Sequence, residues 1–459
     1  MKVLVTGISG FVGQKLGLHL VRSGHEVVGL SRRPERTQEL SPFPLECFAW
    51  AGDREPVPPQ ALQGVEAVVH LAGESVAEGR WTARRKQQLR DSRVLSAQNL
   101  LSSLQGAQVA PKVFVAASAI GFYGDRGDEE LTEASSLGEG FLAELTQQWE
   151  EATSQVSEVF PTCRLTQLRI GVVLGEGEGF LGKVVPLFRK GLGGRLGSGR
   201  QWMSLIHVED LVRVIGESLE NKDFQGVVNA VGPEPLTNAQ MTSQLANHLG
   251  APALFPAPAP ALKLALGEMS QMLLSSQRVR PQRLLELGFE FSSPSFFQAV
   301  AKELNHIKEG FEQLFTQQWV PRPLPEVFEF YRDEGNLQKI TPPWLDFQVL
   351  GKNTPEMGEG TRIDYKLKLK GLPIRWQSAI ENWDPPRRFS DRQLKGPYRH
   401  WFHLHEFEEL AGGTLITDRV HYQLPLGLIG RASAGPWVKR DVEKIFKYRR
   451  KVIDSIFKV

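Results

Sequence analysis

The chain opens on a short apolar run, Val3-Leu4-Val5, of the kind that makes a strand buried on both faces. A helical pattern from Phe11 to Ser23 follows at once, and Glu26–Ser31 reads as a second strand. Weak strand signals between Leu45 and Ala49 sit among Pro- and Gly-rich loops. Ala67 to Gly73 reads as a further buried strand that ends in a glycine turn. Thr82 is placed to cap one long helix from Ala83 to Leu104. Val113–Ala117 and Arg164–Ile170 continue the series, with a helix expected over Gly138–Thr153. Strands alternating with helices in this way predict an α/β fold, a doubly wound parallel sheet. Residues Gly175 to Gly199 are glycine-rich, and Ala251 to Pro260 forms a proline-rich connector.

The texture changes near Ile307. Gly310–Val320 alternates apolar and polar residues, as a half-buried antiparallel strand does. A short helix over Pro325–Tyr331 precedes strand-like runs at Leu345–Leu350, Thr361–Leu369, Ile374–Trp383, Phe389–Leu394, Arg399–Glu408 and Thr414–Leu424. A long helix from about Ala434 to Phe457 closes the chain, with an apolar stripe of Val438, Val442, Ile445, Phe446, Ile453 and Ile456. The expected division is therefore residues 1–304, with a small substrate lobe mainly within 175–290, and an α+β domain over 305–459.

Composition narrows the class only a little. The 459 residues carry a formal net charge of +2, which gives no general case for nucleic acid or membrane. Cys47 and Cys163 are the only cysteines, too few for a disulfide framework or a zinc site, so no metal is expected. No signal peptide and no apolar stretch of membrane-spanning length is visible, which points to the cytosol. Nothing fixes the oligomeric state.

Candidate chemistry enters with the glycines. Gly7, Gly10 and Gly13, spaced G-x-x-G-x-x-G between strand and helix, suit a turn that brings the backbone around Phe11 and Val12 onto a pyrophosphate at a helix N-terminus. The second strand ends in Ser31-Arg32-Arg33, where an acidic residue would bind the ribose of NAD. Two guanidinium groups suit a 2′-phosphate instead, so NADP(H) is the expected cofactor. Leu71, Ala72 and Gly73, at the C-terminal end of their strand, should line it.

The segments Ala67–Gly73, Ala117-Ser118-Ala-Ile-Gly-Phe-Tyr123-Gly124, Arg169–Gly175, Ser204–Leu211 and Asn229–Asn238 resemble the extended short-chain dehydrogenase/reductase superfamily, in its sugar-nucleotide epimerase-like branch. Gly79–Lys86, Ser92-Arg93 and Ser275–Pro281 are similar to the atypical epimerase family group, some of whose members carry a cell-division-inhibitor label. The resemblance covers about residues 1–304. It implies a cofactor role for Arg93, Arg169 and Gly171, a catalytic role for Ser118, and substrate contacts from Arg80, Trp81 and His207. It also implies a Tyr-x-x-x-Lys pair on the helix after Ser118. Here Phe141 and Leu145 stand at those positions, and Tyr123 is the remaining candidate for the acid.

Ile340–Trp344, Gly371–Trp376, Asp391–Gln393 and Gly396–Tyr398 resemble the START-like helix-grip fold of the SRPBCC, or polyketide cyclase-type, superfamily. That resemblance implies an apolar ligand pocket, with Trp376, Phe389, Trp401 and His403 on its wall. The combined expectation is an NADP(H)-dependent oxidoreductase or epimerase-like protein with a small-molecule substrate and a fused apolar-ligand domain. The alternative is a non-catalytic, NADPH-bound sensor or scaffold.

Overall fold

The computed structural model describes residues 1–425 and 427–458. The chain divides into two compact units, one of Met1–Glu39 with Leu45–Asn305, the other of Leu40–Pro44 with the chain from His306 onward.

The first unit is built on seven parallel strands: β1 (Lys2–Thr6), β2 (Glu26–Ser31), β3 (Glu46–Ala49), β4 (Ala67–His70), β5 (Val113–Ala119), β6 (Arg164–Ile170) and β7 (Gly226–Ala230). Their order across the sheet is β7-β6-β5-β4-β1-β2-β3. β1 is central, with Val3 opposite both Val27 and Ala67. Val3, Leu4, Val5, Val68 and Val69 are fully buried. Burial on both faces explains why these strands read as unbroken apolar runs. In such a sheet the strand order reverses between β1 and β4, and the crevice at their C-terminal ends is the natural ligand site.

The single helix expected over Ala83–Leu104 is two helices, α2 (Ala83–Asp91) and α3 (Val94–Gly106). Thr82 does cap the first, accepting from the Arg85 amide. The break falls at Ser92 and Arg93, whose side chains have business outside the helix. The Ser92 hydroxyl accepts from the Glu74 amide at 3.1 Å, and the Arg93 guanidinium donates to the Glu74 carbonyl at 2.9 Å. Local side-chain bonds of this kind compete with the helical ladder.

The second unit is a seven-stranded antiparallel sheet: β8 (Glu312–Val320), β9 (Gln348–Lys352), β10 (Arg362–Leu369), β11 (Leu372–Asp384), β12 (Arg388–Lys395), β13 (His400–Leu410) and β14 (Gly413–Gln423), in the order β8-β14-β13-β12-β11-β10-β9. The run expected to begin at Leu345 pairs only from Gln348, because Leu345 belongs to a 3₁₀ turn. One face is apolar, with Ile363, Tyr365, Ile380 and Phe389 buried against Phe328 and Ile453. The last helix (Gly427–Phe457) begins earlier than its apolar stripe indicates and carries Pro436 inside it. Its buried residues Val442, Phe446, Ile453 and Phe457 follow helical spacing.

Candidate functional site

The turn after β1 is shaped by what glycine lacks. Gly7 has φ +70°, and a β-carbon there would lie 2.9 Å from the Leu71 carbonyl carbon. A β-carbon on Gly13 would lie 2.3 Å from the Gly7 oxygen. Backbone cannot yield cheaply at such distances, so both positions require glycine. Gly10 ends the turn with its amide on the Gly7 carbonyl at 3.0 Å. It is the N-cap of α1 (Phe11–Arg22), and no side chain caps that helix. An uncapped helix start with no acidic residue in its first turn favours an anion. Phe11 and Val12, both half-buried, form the first turn. The Phe11 ring packs where a side chain at Gly175 would otherwise lie, 2.2 Å from a β-carbon built there.

The neighbouring strand ends close one crevice with this turn. Thr6 Oγ1 accepts from the amides of Leu71 and Ala72 at 3.1 and 3.0 Å, tying β4 to β1. Beneath Gly73 lies the Arg93 guanidinium, buried, held by the carbonyls of Leu89 and Glu74, with burial lowering its pKa to about 10. Ser31, at the end of β2, bonds the Thr37 hydroxyl and accepts from the Arg33 amide. Arg32 and Arg33 are exposed beside it, and Arg32 reaches Glu74 at 2.9 Å. The polar rim thus pairs Arg32 with Glu74 and leaves Arg33 exposed beside them.

The residues expected to react are buried and hydrogen-bonded to one another's partners. Ser118 is buried and donates to Glu150 Oε1 at 2.5 Å. Glu150, on α4 (Phe141–Ser154), also takes Nε and Nη2 of Arg169, both at 2.8 Å. Burial works against the Arg169 charge, and the hydrogen bonds and charge of Glu150 outweigh it and raise its pKa. Arg169 Nη1 donates to the Tyr123 hydroxyl at 3.0 Å, and that hydroxyl donates to Asn229 Oδ1 at 2.7 Å. Tyr123 is fully buried, and burial raises its pKa. Ser118, Tyr123 and Arg169 thus share one buried network that joins β5, β6 and β7. Gly171 likewise packs tightly, its β-carbon position 2.6 Å from the Ser204 oxygen.

The three residues expected at the substrate each have partners within the protein. Arg80 donates from Nε and Nη2 to the carbonyls of Ala265 and Leu264, satisfying the end of a short helix, Ala259–Leu266. Trp81 is buried, its indole donating to the Val76 carbonyl and its ring edge on Phe141 at 5.1 Å. His207 is fully buried against Glu303 at 2.8 Å and holds the N-cap of Val208–Glu220. Phe141 and Leu145 join Trp81 and Leu89 in an apolar cluster. The positions of the usual tyrosine and lysine are thus filled by core.

In the second unit a cavity of about 160 Å³ lies between the sheet and the last helix. Trp376, Phe389, Trp401 and His403 all line it, with Tyr331, Tyr365 and Phe446. Sequence reading missed its polar members, Asp391, His405 and Arg449. The alternation of His403 and His405 on one strand face was the available signal. It also missed Glu150, whose partners lie on other elements. Among the described residues, no helix is long and apolar enough to cross a membrane.

Residues 3–231 match the model of the NAD dependent epimerase/dehydratase family, and residues 257–303 match that of a domain of unknown function. An epimerase family protein SDR39U1 homolog, chloroplastic, of Arabidopsis thaliana is 36% identical over 296 residues, which cover 63% of this chain and 83% of the relative. The crystal structure of the human epimerase family protein SDR39U1, solved with NADPH, is 32% identical with a TM-score of 0.59, covering 67% of this chain and 99% of that one. A nucleoside-diphosphate sugar epimerase structure from Corynebacterium glutamicum is 34% identical with a TM-score of 0.54; the match covers 67% of this chain and 58% of that one.

Proposed function

Because the chain belongs to the epimerase family, we propose that its first unit binds NADP(H) in the crevice at the ends of β1, β2 and β4. Gly7, Gly10 and Gly13 would admit the pyrophosphate, and Arg32 and Arg33 would take a 2′-phosphate. The observation that carries this reading is Arg32, exposed beside Ser31 where an acidic residue would favour NAD. The NADPH of the human relative's structure supports it. The cofactor supplies or accepts hydride when bound. This chain's residues would orient it and exclude water, and Phe141 and Leu145 stand where the family's tyrosine and lysine are expected. We read the protein as an oxidoreductase or epimerase-like enzyme on a small molecule, with Arg93 as the buried group nearest the crevice floor.

We read the second unit as a START-like helix-grip receptor for an apolar ligand. A long helix over a curved antiparallel sheet, with an aromatic-walled cavity between them, supports that reading. A volume near 160 Å³ accommodates a group about the size of one aromatic ring.

Fluorescence titration tests the cofactor. The chain is expected to bind NADPH at least tenfold more tightly than NADH. Arg32→Ala should erase that preference, as loss of a charge-assisted bond worth about 1.5–3 kcal/mol requires. Equal affinity for the two cofactors in the wild-type chain would refute the assignment. Incubating the NADPH-bound chain with a metabolite panel then separates an enzyme from a sensor, in which the cofactor never oxidises.

A further inference from the structure

Four ionisable side chains meet on the cavity face of the second sheet. His403 and His405 are two residues apart on β13, so they project to the same side. Asp391 lies directly across from His403 on β12, and Asp418 directly across from His405 on β14. Both imidazoles are 4% exposed, and their ring centroids are 3.9 Å apart. Each imidazole therefore spans the gap between the two carboxylates.

The two ends of this arrangement differ in distance. His403 Nε2 and His405 Nδ1 lie 2.9 and 2.8 Å from Asp418 Oδ1, the length of charge-assisted hydrogen bonds. The first is an aligned hydrogen bond; the second lacks the alignment, which leaves a buried ring nitrogen without a true partner. At the other end, His403 Nδ1 and His405 Nε2 lie 3.3 and 3.5 Å from Asp391 Oδ2. Those separations are long for hydrogen bonds to a carboxylate. They match two donors sharing one ion, since bonds of ~2.1 Å at the tetrahedral angle place ligands ~3.4 Å apart. The donor atoms of Asp391, His403 and His405 all lie within 4.8 Å of one another.

Charge points the same way. Asp391 on the cavity wall and the buried Asp418 beside it are two carboxylates that need compensation. Arg449 lines the cavity, yet its Nε and Nη1 bond neither of them. The Arg449 charge offsets part of this at a distance, and neutral imidazoles with a divalent ion at the carboxylates offset it in full.

We propose that Asp391, His403 and His405 form a divalent transition-metal site of the zinc or ferrous type, with Asp418 as the outer carboxylate that orients both imidazoles. Two histidines and one carboxylate leave coordination positions open toward the cavity. A carboxylate on the far ring nitrogen is the usual support for a histidine ligand. The proposal rests on this cluster and not on the NADP(H) reading of the first unit.

The full chain, stripped with a chelator and dialysed against Co²⁺ or Zn²⁺, tests it by elemental analysis and, for cobalt, by visible absorption. One bound equivalent is expected. Asp391→Asn and His403→Gln should each weaken binding at least 100-fold. Asp418→Asn should keep the stoichiometry and weaken binding by about 10–100-fold. His400→Gln, an exposed histidine on the same strand, should change nothing. Circular dichroism checks that each variant is folded, and His405→Gln replaces any that is not. Failure of the wild-type chain to hold an equivalent, or undiminished binding in folded Asp391→Asn, overturns the site. NADPH titration of the same samples reports the first unit separately.

Discussion

His70 illustrates how a single buried group sets a pH response. It is fully buried at the end of β4, with Nδ1 2.9 Å from the Thr6 hydroxyl and Nε2 3.4 Å from that of Ser96. Burial, and then the charge of Arg93, lowers its pKa from 6.5 to about 4. The unfolded chain takes up this proton near pH 6.5, whereas the folded chain refuses it until about pH 4. Stability is therefore complete above pH 6.5 and falls as pH drops toward 4, by about 3 kcal/mol. Urea unfolding between pH 7 and 4 should show the decline, and His70→Asn, which keeps a bond to Thr6, should flatten it. At this scale the sequence was legible only in part. Arg80 and His207 look like site residues because they are polar and lie in motifs. Their partners, Ala265 and Glu303, are distant in sequence, and only folding reveals those bonds.

At the scale of elements, the strand–turn–helix at the start of the chain was the most legible feature, because steric demands at Gly7 and Gly13 fall on one short stretch. Gly13→Ala places a β-carbon against backbone on two sides and should cost about 1–3 kcal/mol, with a loss of dinucleotide affinity. Gly106→Ala, in the last turn of α3 with open space around it, should instead stabilise by about 0.5–1 kcal/mol. Chemical denaturation of the two variants checks the opposite signs. The break between α2 and α3 was not legible. Ser92 and Arg93 fit the helical period, and what diverts them is the Glu74 backbone on another segment. The early start of the last helix was missed for a different reason: around Gly430 and Pro436 it has no apolar stripe to declare it.

At the scale of the molecule, each unit has its own sheet and its own apolar core. Two cores predict two unfolding transitions. Saturating NADPH, at about 100 times its Kd, should raise one of them by about 2.7 kcal/mol and leave the other in place. Tryptophan fluorescence follows both, since Trp149 reports the first unit and Trp383 the second. A single transition shifted as a whole would show that the units unfold as one. The change from helical to alternating periods was plain in the sequence. The His–Asp cluster was not, because its members come from three strands and two cysteines carry no metal signal. A histidine pair at strand spacing becomes informative only once its neighbours in the sheet, Asp391 and Asp418, are known.

The ring of Phe11 has one more consequence. It fills the space that a side chain at Gly175 would need, so the entry to the first helix and the loop beyond β6 are cut to a single template. Neither can be revised alone. A bulkier residue in the loop is tolerable only with a smaller one at the helix start. The two segments, far apart in the gene, are thereby bound to change together as one inherited character.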